Sequence, residues 1–151
     1  MKLATALAAF VVAFAVAAPA HAQQAMAPQA PSLYKRVGGY DALAAVTDDF
    51  LGKLAGDPQL AKFFVGHSTD SIKRIRQLIV DQLCAVTGGP CVYTGRDMKT
   101  SHAGLGVTEA EWNTTVKHFI ASLDKFKVGA KEKDDLVTLV ASLKKDIVEK
   151  P

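Results

Sequence analysis

The chain has 151 residues and a formal net charge of +3, so its length suits one domain and its charge is small for its size. Its 18 basic and 15 acidic residues are interspersed, and no basic stripe carries interleaved aromatic residues. This composition lacks the signature of a nucleic-acid-binding protein, and we expect no nucleic-acid partner.

The N-terminal 22 residues have the pattern of a cleavable signal peptide. A lysine follows the first methionine, residues 3–17 are apolar apart from Thr5, and Ala20, His21 and Ala22 form a small-x-small cleavage motif. The apolar run is shorter than the about 20 residues that a membrane-spanning helix needs, which makes a retained anchor the weaker alternative. We predict cleavage after Ala22, a periplasmic or secreted mature protein, and no stable membrane insertion after cleavage.

Residues 23–31 are rich in Gln, Ala and Pro and are predicted to form a flexible leader, which leaves residues 32–151 as one domain. Within that domain a short helix is predicted over residues 33–37, where two glycines stop it. Apolar residues at helical spacing then predict an amphipathic helix over residues 40–55. Pro58 begins another short helix, which ends in the apolar residues 63–65.

The remainder of the domain is also predicted to be helical. A cap at residues 68–70 begins a second long helix, and the Thr-Gly-Gly-Pro sequence of residues 87–90 ends it. Thr108 and Glu111 form a capping box for a third helix, whose apolar face reaches Phe126. A last helix is predicted over residues 131–149. We find no repeat and no convincing strand, so we assign the all-α class, with two antiparallel helix pairs packed on each other.

A glycine-rich segment, residues 93–106, separates the second and third long helices and should form a loop with about one helical turn. His102 lies near the end of that turn, on the same face as Met98 four residues earlier. A neutral imidazole at this place can ligate a metal, although a lone histidine is more often a hydrogen-bonded core or surface residue. The loop has few apolar residues to anchor it, and a bound cofactor would order it.

The domain carries short motifs in a fixed order. They occupy residues 33–39 (Leu-Tyr-Lys-Arg-Val-Gly-Gly), 49–50 (Asp-Phe), 57–60 (Asp-Pro-Gln-Leu), 63–64 (Phe-Phe), 88–90 (Gly-Gly-Pro), 93–98 (Tyr-Thr-Gly-Arg-Asp-Met) and 102–108 (His-Ala-Gly-Leu-Gly-Val-Thr). Over residues 32–149 their order and spacing resemble the group I truncated haemoglobins, the small two-over-two globins. The resemblance implies a two-over-two helical sandwich around haem. Since no Cys-x-x-Cys-His motif occurs, we expect haem b, held without a covalent bond.

The resemblance assigns His102 as the proximal histidine that binds the haem iron. It places Phe64 on the haem plane, and it places Met98, Val107 and Trp112 on the proximal side. For Phe64 and Trp112, ordinary core packing is the alternative.

The resemblance also implies two residues near the haem propionates, Arg74 and Tyr93. Charge-assisted hydrogen bonds from an arginine to a carboxylate would suit that role. A solvated charge on a helix face is the alternative for Arg74.

The resemblance places Phe50, Leu51, Ile75 and Ile79 among the cofactor-binding residues, and on the distal side the sequence departs from the family. Members often carry a tyrosine one position after the residue that matches Phe50, and here that position is Leu51. The positions where members often carry glutamine are Ile75 and Ile79. Gln82, at the edge of the apolar face of the second long helix, is the one polar candidate for the distal side. The sequence therefore does not indicate tight oxygen binding.

Three functions remain open from the sequence. The leading one is a haem globin that reversibly binds oxygen, nitric oxide or carbon monoxide at pentacoordinate iron. The second is a redox enzyme, a nitric-oxide dioxygenase or peroxidase, that uses a separate and unidentified electron donor. The third is a haem-free helical interaction module. We expect His118 to be structural and His67 to be exposed, with a sixth-ligand role as the alternative for His67.

The chain has two cysteines, Cys84 near the end of the second long helix and Cys91 just after its stop. Export to an oxidising compartment permits a disulfide between them, and two reduced, buried cysteines are the alternative. A disulfide would tie the second long helix to the loop that leads to His102.

Overall fold

The computed structural model describes residues 30–151, so the predicted signal peptide and residues 23–29 of the leader lie outside the described residues. The helices are α1 (Leu33–Arg36), α2 (Gly39–Gly56), α3 (Thr69–Val86), α4 (Met98–His102), α5 (Glu109–Lys125), α6 (Ala130–Ala141) and α7 (Lys144–Ile147), with a 3-10 helix (Ala61–Phe64) between α2 and α3. Within residues 30–151, the one β-type pairing is an isolated bridge between Thr108 and Lys150. The all-α prediction is confirmed.

Side-chain caps explain where the helices around the glycine-rich segment begin. Ser68 Oγ accepts a hydrogen bond from the amide of Ser71 at 3.2 Å, which caps α3. Asp97 accepts one from the amide of Thr100 at 2.8 Å and begins α4. The predicted capping box of Thr108 and Glu111 begins α5.

The helices form two packed pairs. α2 packs on α3 and also crosses α5, and α5 packs on α6, which gives the predicted two-over-two sandwich. Buried residues from these four helices form the core between the pairs, and they include Leu43, Val46, Leu83, Phe119, Leu123 and Leu136. None of the described helices is both long and apolar enough to span a bilayer.

The prediction of one last helix over residues 131–149 is wrong. α6 ends at Ala141, and α7 covers only Lys144–Ile147. At the break, Ser142 Oγ donates to the carbonyl of Leu139 at 2.7 Å, a local bond that competes with helical pairing. Val148 is then extended, and the amide of Glu149 donates to the carbonyl of Val107 at 2.9 Å. The pairing of the tail with another segment therefore replaces the last helical turns.

Phe126, which was predicted to lie on the apolar face of α5, is 42% exposed. α5 ends at Lys125, so Phe126 lies at the C-terminal cap, where the helical periodicity no longer directs it to the core.

A disulfide joins Cys84 and Cys91, as the sequence predicts. Cys84 is fully buried at the end of α3, and Cys91 lies in the loop that leads to α4. Between them, Gly89 approaches Tyr34 and Cys84 so closely that an added Cβ would lie 2.6 Å from the tyrosine ring and 2.7 Å from the sulfur. Glycine is therefore required where the chain reverses.

Asp49 links the two helix pairs electrostatically. From α2, its carboxylate accepts hydrogen bonds from Ser122 Oγ at 2.7 Å and Lys125 Nζ at 2.5 Å on α5, and it also pairs with Lys53 on its own helix. The hydrogen bonds from Lys125, Lys53 and Ser122, in that order, lower the pKa of Asp49 far below the ordinary carboxyl value.

We predict that Asp49→Asn destabilises the fold by about 1–3 kcal/mol at neutral pH, because it removes a charged acceptor whose side chain is only 12% exposed. Since the pKa of Asp49 is lower in the folded state, its contribution is complete above the ordinary carboxyl pKa of 3.8 and is lost as the pH falls below it. Urea unfolding at several pH values should therefore show the two proteins converging in acid. Asp70→Asn is the control, since the side chain of Asp70 is 93% exposed. An equal difference at pH 3 and pH 7 would contradict the linkage.

Candidate functional site

A cavity of about 750 Å³ lies between the helices, within the range of about 300–1,000 Å³ that is common for small-molecule sites. α2, the 3-10 helix and α3 contribute one set of lining residues. The loop before α4, α4 itself, α5 and α7 contribute the other. The cavity thus forms where the two helix pairs and the glycine-rich segment meet.

All but one of the residues predicted to bind a cofactor line this cavity. They are Leu51, Phe64, Arg74, Ile75, Ile79, Tyr93, Met98, His102, Val107 and Trp112. The structure therefore brings these side chains together, while their individual contacts with a cofactor remain predictions.

Phe50 lies outside the cavity lining. Its ring packs edge-on against Phe119, with the ring centroids 5.4 Å apart and the planes at 70°. Successive residues of an α-helix point about 100° apart, so Leu51 faces the cavity while Phe50 faces the core.

His102 is the last residue of α4, and its ring is oriented by its own helix. Nδ1 lies 2.8 Å from the carbonyl oxygen of Met98. A carbonyl can only accept, so Nδ1 carries the proton and donates. Nε2 is then unprotonated in the neutral ring and free to ligate a metal.

No group of three or more His, Cys, Asp or Glu side chains that could hold a metal occurs among residues 30–151. His102 therefore suits a metal that arrives with most of its ligands already in place. Haem iron is such a metal, and proximal ligation by one histidine is a common way of holding it.

The α2 and α3 side of the cavity is mainly apolar. Leu51, Leu54, Ile75, Leu78 and Ile79 contribute to it, and Leu51 is 9% exposed. Gln82, the one polar distal candidate from the sequence, also lines the cavity. Gln77 instead donates to Tyr40 Oη at 2.8 Å and does not line the cavity.

Polar and cationic side chains complete the lining. Arg74, Arg96, Thr94 and His67 are exposed yet contribute to the wall, which places them towards solvent. Tyr93 Oη donates to the carbonyl of Arg96 at 2.6 Å, and burial raises the pKa of Tyr93. Two guanidinium groups at the edge of an apolar cavity fit a ligand with an apolar body and carboxylates at one end.

Sequence reasoning missed Arg96 and Thr94 as cavity residues. The only available signal was their place in the motif of residues 93–98, because no periodicity directs side chains in an irregular loop. Of the two histidines outside the predicted site, His67 is exposed as expected but also lines the cavity. His118 lies elsewhere, with Nε2 2.8 Å from Asp57 Oδ2, and this contact lowers the pKa of Asp57.

The residues present fit a haem. An unprotonated imidazole nitrogen, apolar walls and cationic groups at the edge match the iron, the ring and the propionates of that cofactor.

Comparison with known proteins agrees with this geometry. The family model for bacterial-like globins matches residues 32–149. The chain is 31% identical over 116 residues to the group 1 truncated hemoglobin GlbN of Mycolicibacterium paratuberculosis, covering 77% of this chain and 83% of that protein. It is also 31% identical over 119 residues to GlbN of Nostoc commune, covering 79% of this chain and 98% of the relative.

Among solved structures, the chain is similar to the 2/2 hemoglobin from Synechococcus sp. PCC 7002 in the cyanomet state with covalently attached heme. The TM-score is 0.70 at 25% identity, over 78% of this chain and 98% of that structure.

Proposed function

We propose that this chain, which belongs to the bacterial-like globin family and is a group 1 truncated haemoglobin, holds haem b on His102 and favours gases that need no hydrogen bond to stay bound. As a haem-binding globin it binds diatomic ligands. A haem-free interaction module is therefore not supported. When bound, haem held by His102 would supply an iron to which a gas can bind, and the side chains that line the cavity would set which gas is retained.

The observation that carries the proposal is the bond between His102 Nδ1 and the carbonyl of Met98, inside a mainly apolar cavity. It holds the imidazole in one tautomer and directs the free nitrogen away from the backbone of α4. The short helix is capped by Asp97, which fixes the start of the same turn.

Non-covalent attachment is part of the proposal. The chain has no Cys-x-x-Cys-His motif, and both of its cysteines are joined to each other. The chain therefore has no free thiol for attachment to haem, which supports ordinary haem b even though one structural neighbour carries covalently attached heme.

The apolar distal wall supports a preference among gases. Oxygen is retained where a side chain donates a hydrogen bond to it, and in a low-dielectric pocket such a bond contributes about 1–3 kcal/mol when the acceptor is charged. Leu51, Ile75 and Ile79 cannot donate. Carbon monoxide is far less polar when bound and needs no such donor. The cavity thus favours weakly polar ligands over oxygen.

The same wall argues for binding over turnover. A redox enzyme would need oxygen retained or a proton delivered by a positioned side chain. Leu51, Ile75 and Ile79 provide neither, which leaves Gln82 as the one polar candidate among the distal residues. A separate electron donor would also be required.

Export remains a proposal from the sequence, because residues 1–22 lie outside the described residues. The Cys84–Cys91 disulfide supports it, since such bonds persist in oxidising compartments.

We expect His102→Ala to lose the intense Soret band that the wild-type protein shows when it is purified with adequate haem, because the substitution removes the iron ligand. His118→Ala should keep the band, since His118 bonds to Asp57 outside the cavity. Visible spectra of the ferric and ferrous forms measure both. Unchanged spectra for His102→Ala would show that another residue holds the iron.

Leu51→Tyr should slow oxygen release by roughly one to two powers of ten, because a phenol can donate the hydrogen bond that the Leu51 side chain cannot. Carbon monoxide release should stay nearly unchanged. Leu51→Phe is the matched control, with a similar ring and no hydroxyl. Stopped-flow dissociation of both gases gives the rates. Slow oxygen release by the wild type itself, unaffected by Gln82→Leu, would contradict the proposed pocket.

Intact mass tests export and the disulfide together. Protein recovered from a bacterial periplasm should have the mass of residues 23–151 with both cysteines oxidised. Recovery of the uncleaved chain, or of two free thiols, would contradict the corresponding part of the proposal.

A further inference from the structure

The turn that follows His102 has little to hold it by packing. Residues 103–106 include Gly104 and Gly106 in the left-handed region, with φ of 83° and 66°, and Leu105 is 46% exposed. One backbone bond ties the turn to the helix, from the amide of Leu105 to the carbonyl of His102 at 3.1 Å. Because α4 has only five residues, its position depends on its neighbours, which include this turn, the Asp97 cap and α7.

Glu149, from the C-terminal tail, binds this turn through both carboxylate oxygens. Oε1 accepts from the amide of Gly104 at 2.8 Å, and Oε2 accepts from the amide of Gly106 at 2.5 Å. Hydrogen bonds to an ionised acceptor are stronger than neutral ones. The bonds from Gly104 and Gly106 are also the main causes that lower the pKa of Glu149, so the carboxylate is ionised at neutral pH.

The tail that carries Glu149 is itself fixed. The amides of Glu149 and Lys150 donate to the carbonyl of Val107 at 2.9 Å and 3.2 Å, and the carbonyl of Lys150 accepts from the amide of Glu109 at 3.1 Å. Two residues before Glu149, Ile147 lines the cavity. The backbone that carries the Glu149 carboxylate is therefore held in place by these hydrogen bonds.

We propose that Glu149 is a positioning residue for His102, the iron ligand. From the paired C-terminal tail, its carboxylate binds the amides of Gly104 and Gly106 and so fixes the position of His102. The inference rests on the proposed function, because it takes His102 as the residue that binds the iron. Glu149 acts through the backbone, since its side-chain bonds go to the turn.

A general structural role for the tail would stabilise the protein without affecting the iron. The two roles are distinguished by the iron–histidine stretching band of the ferrous protein, which resonance Raman spectroscopy measures directly. Haem transfer to an excess of apomyoglobin supplies a second readout, because it reports how firmly the ligand is held. Both measurements use the full haem-loaded protein.

Glu149→Ala and Glu149→Gln are the test variants. The first removes both acceptors, and the second keeps one and places an amide donor opposite the other glycine amide. The matched control is Glu109→Gln. Glu109 pairs with Lys144 at 2.9 Å and so ties the same C-terminal region to α5 without contacting the turn. Circular dichroism establishes that each variant is folded.

We expect Glu149→Ala to shift or broaden the iron–histidine band and to speed haem loss roughly tenfold, a modest effect because the carboxylate is exposed to solvent. Glu149→Gln should do the same to a smaller or equal extent, and Glu109→Gln should leave the band unchanged. The proposal is overturned if the Glu149 variants keep the wild-type band and rate, or if Glu109→Gln changes both equally. A wild-type protein without the band would instead contradict the assignment of His102 as the ligand.

Discussion

The hydrogen bond from His102 Nδ1 to the carbonyl of Met98 decides what the cavity can hold, because it leaves Nε2 as the free nitrogen. Three other features restrain the segment that carries this ring. Asp97 begins the turn, Glu149 holds the residues after it, and the disulfide restrains the loop before it. A five-residue helix has little stability of its own, so its position depends on these restraints from other parts of the chain.

The long helices could be predicted from the sequence because their apolar residues recur at helical spacing and their ends carry caps. The capping box at Thr108 and the stop after α3 are local signals, and the structure has both. The break after Ala141 could not be predicted, because it depends on the pairing of the tail with Val107, which is distant in sequence. Apolar periodicity predicts which residues can form one face of a helix. It does not predict whether a distant segment forms the backbone hydrogen bonds in place of the helix.

The site shows the same division. The order of the motifs indicates the family and so locates His102. It also assigns both Phe50 and Leu51 to the cofactor, although of these two neighbours on α2 only Leu51 faces the cavity. Arg96 could not be found by periodicity, since its place depends on an irregular loop. Glu149 lies 47 residues from His102 in the chain, and only the folded tail brings its carboxylate to the turn that follows His102.

The Cys84–Cys91 bridge has a consequence for the order of assembly. Its cysteines are seven residues apart, so the ring closes by a local reversal of the chain and does not wait for distant helices to meet. The bond thereby limits the distance between the end of α3 and the loop that leads to Tyr93 and Arg96, even while the chain is still unfolded. Where the bond forms before folding, it reduces the number of conformations open to the unfolded apoprotein, and so it lowers the entropy that the chain loses when the cavity forms.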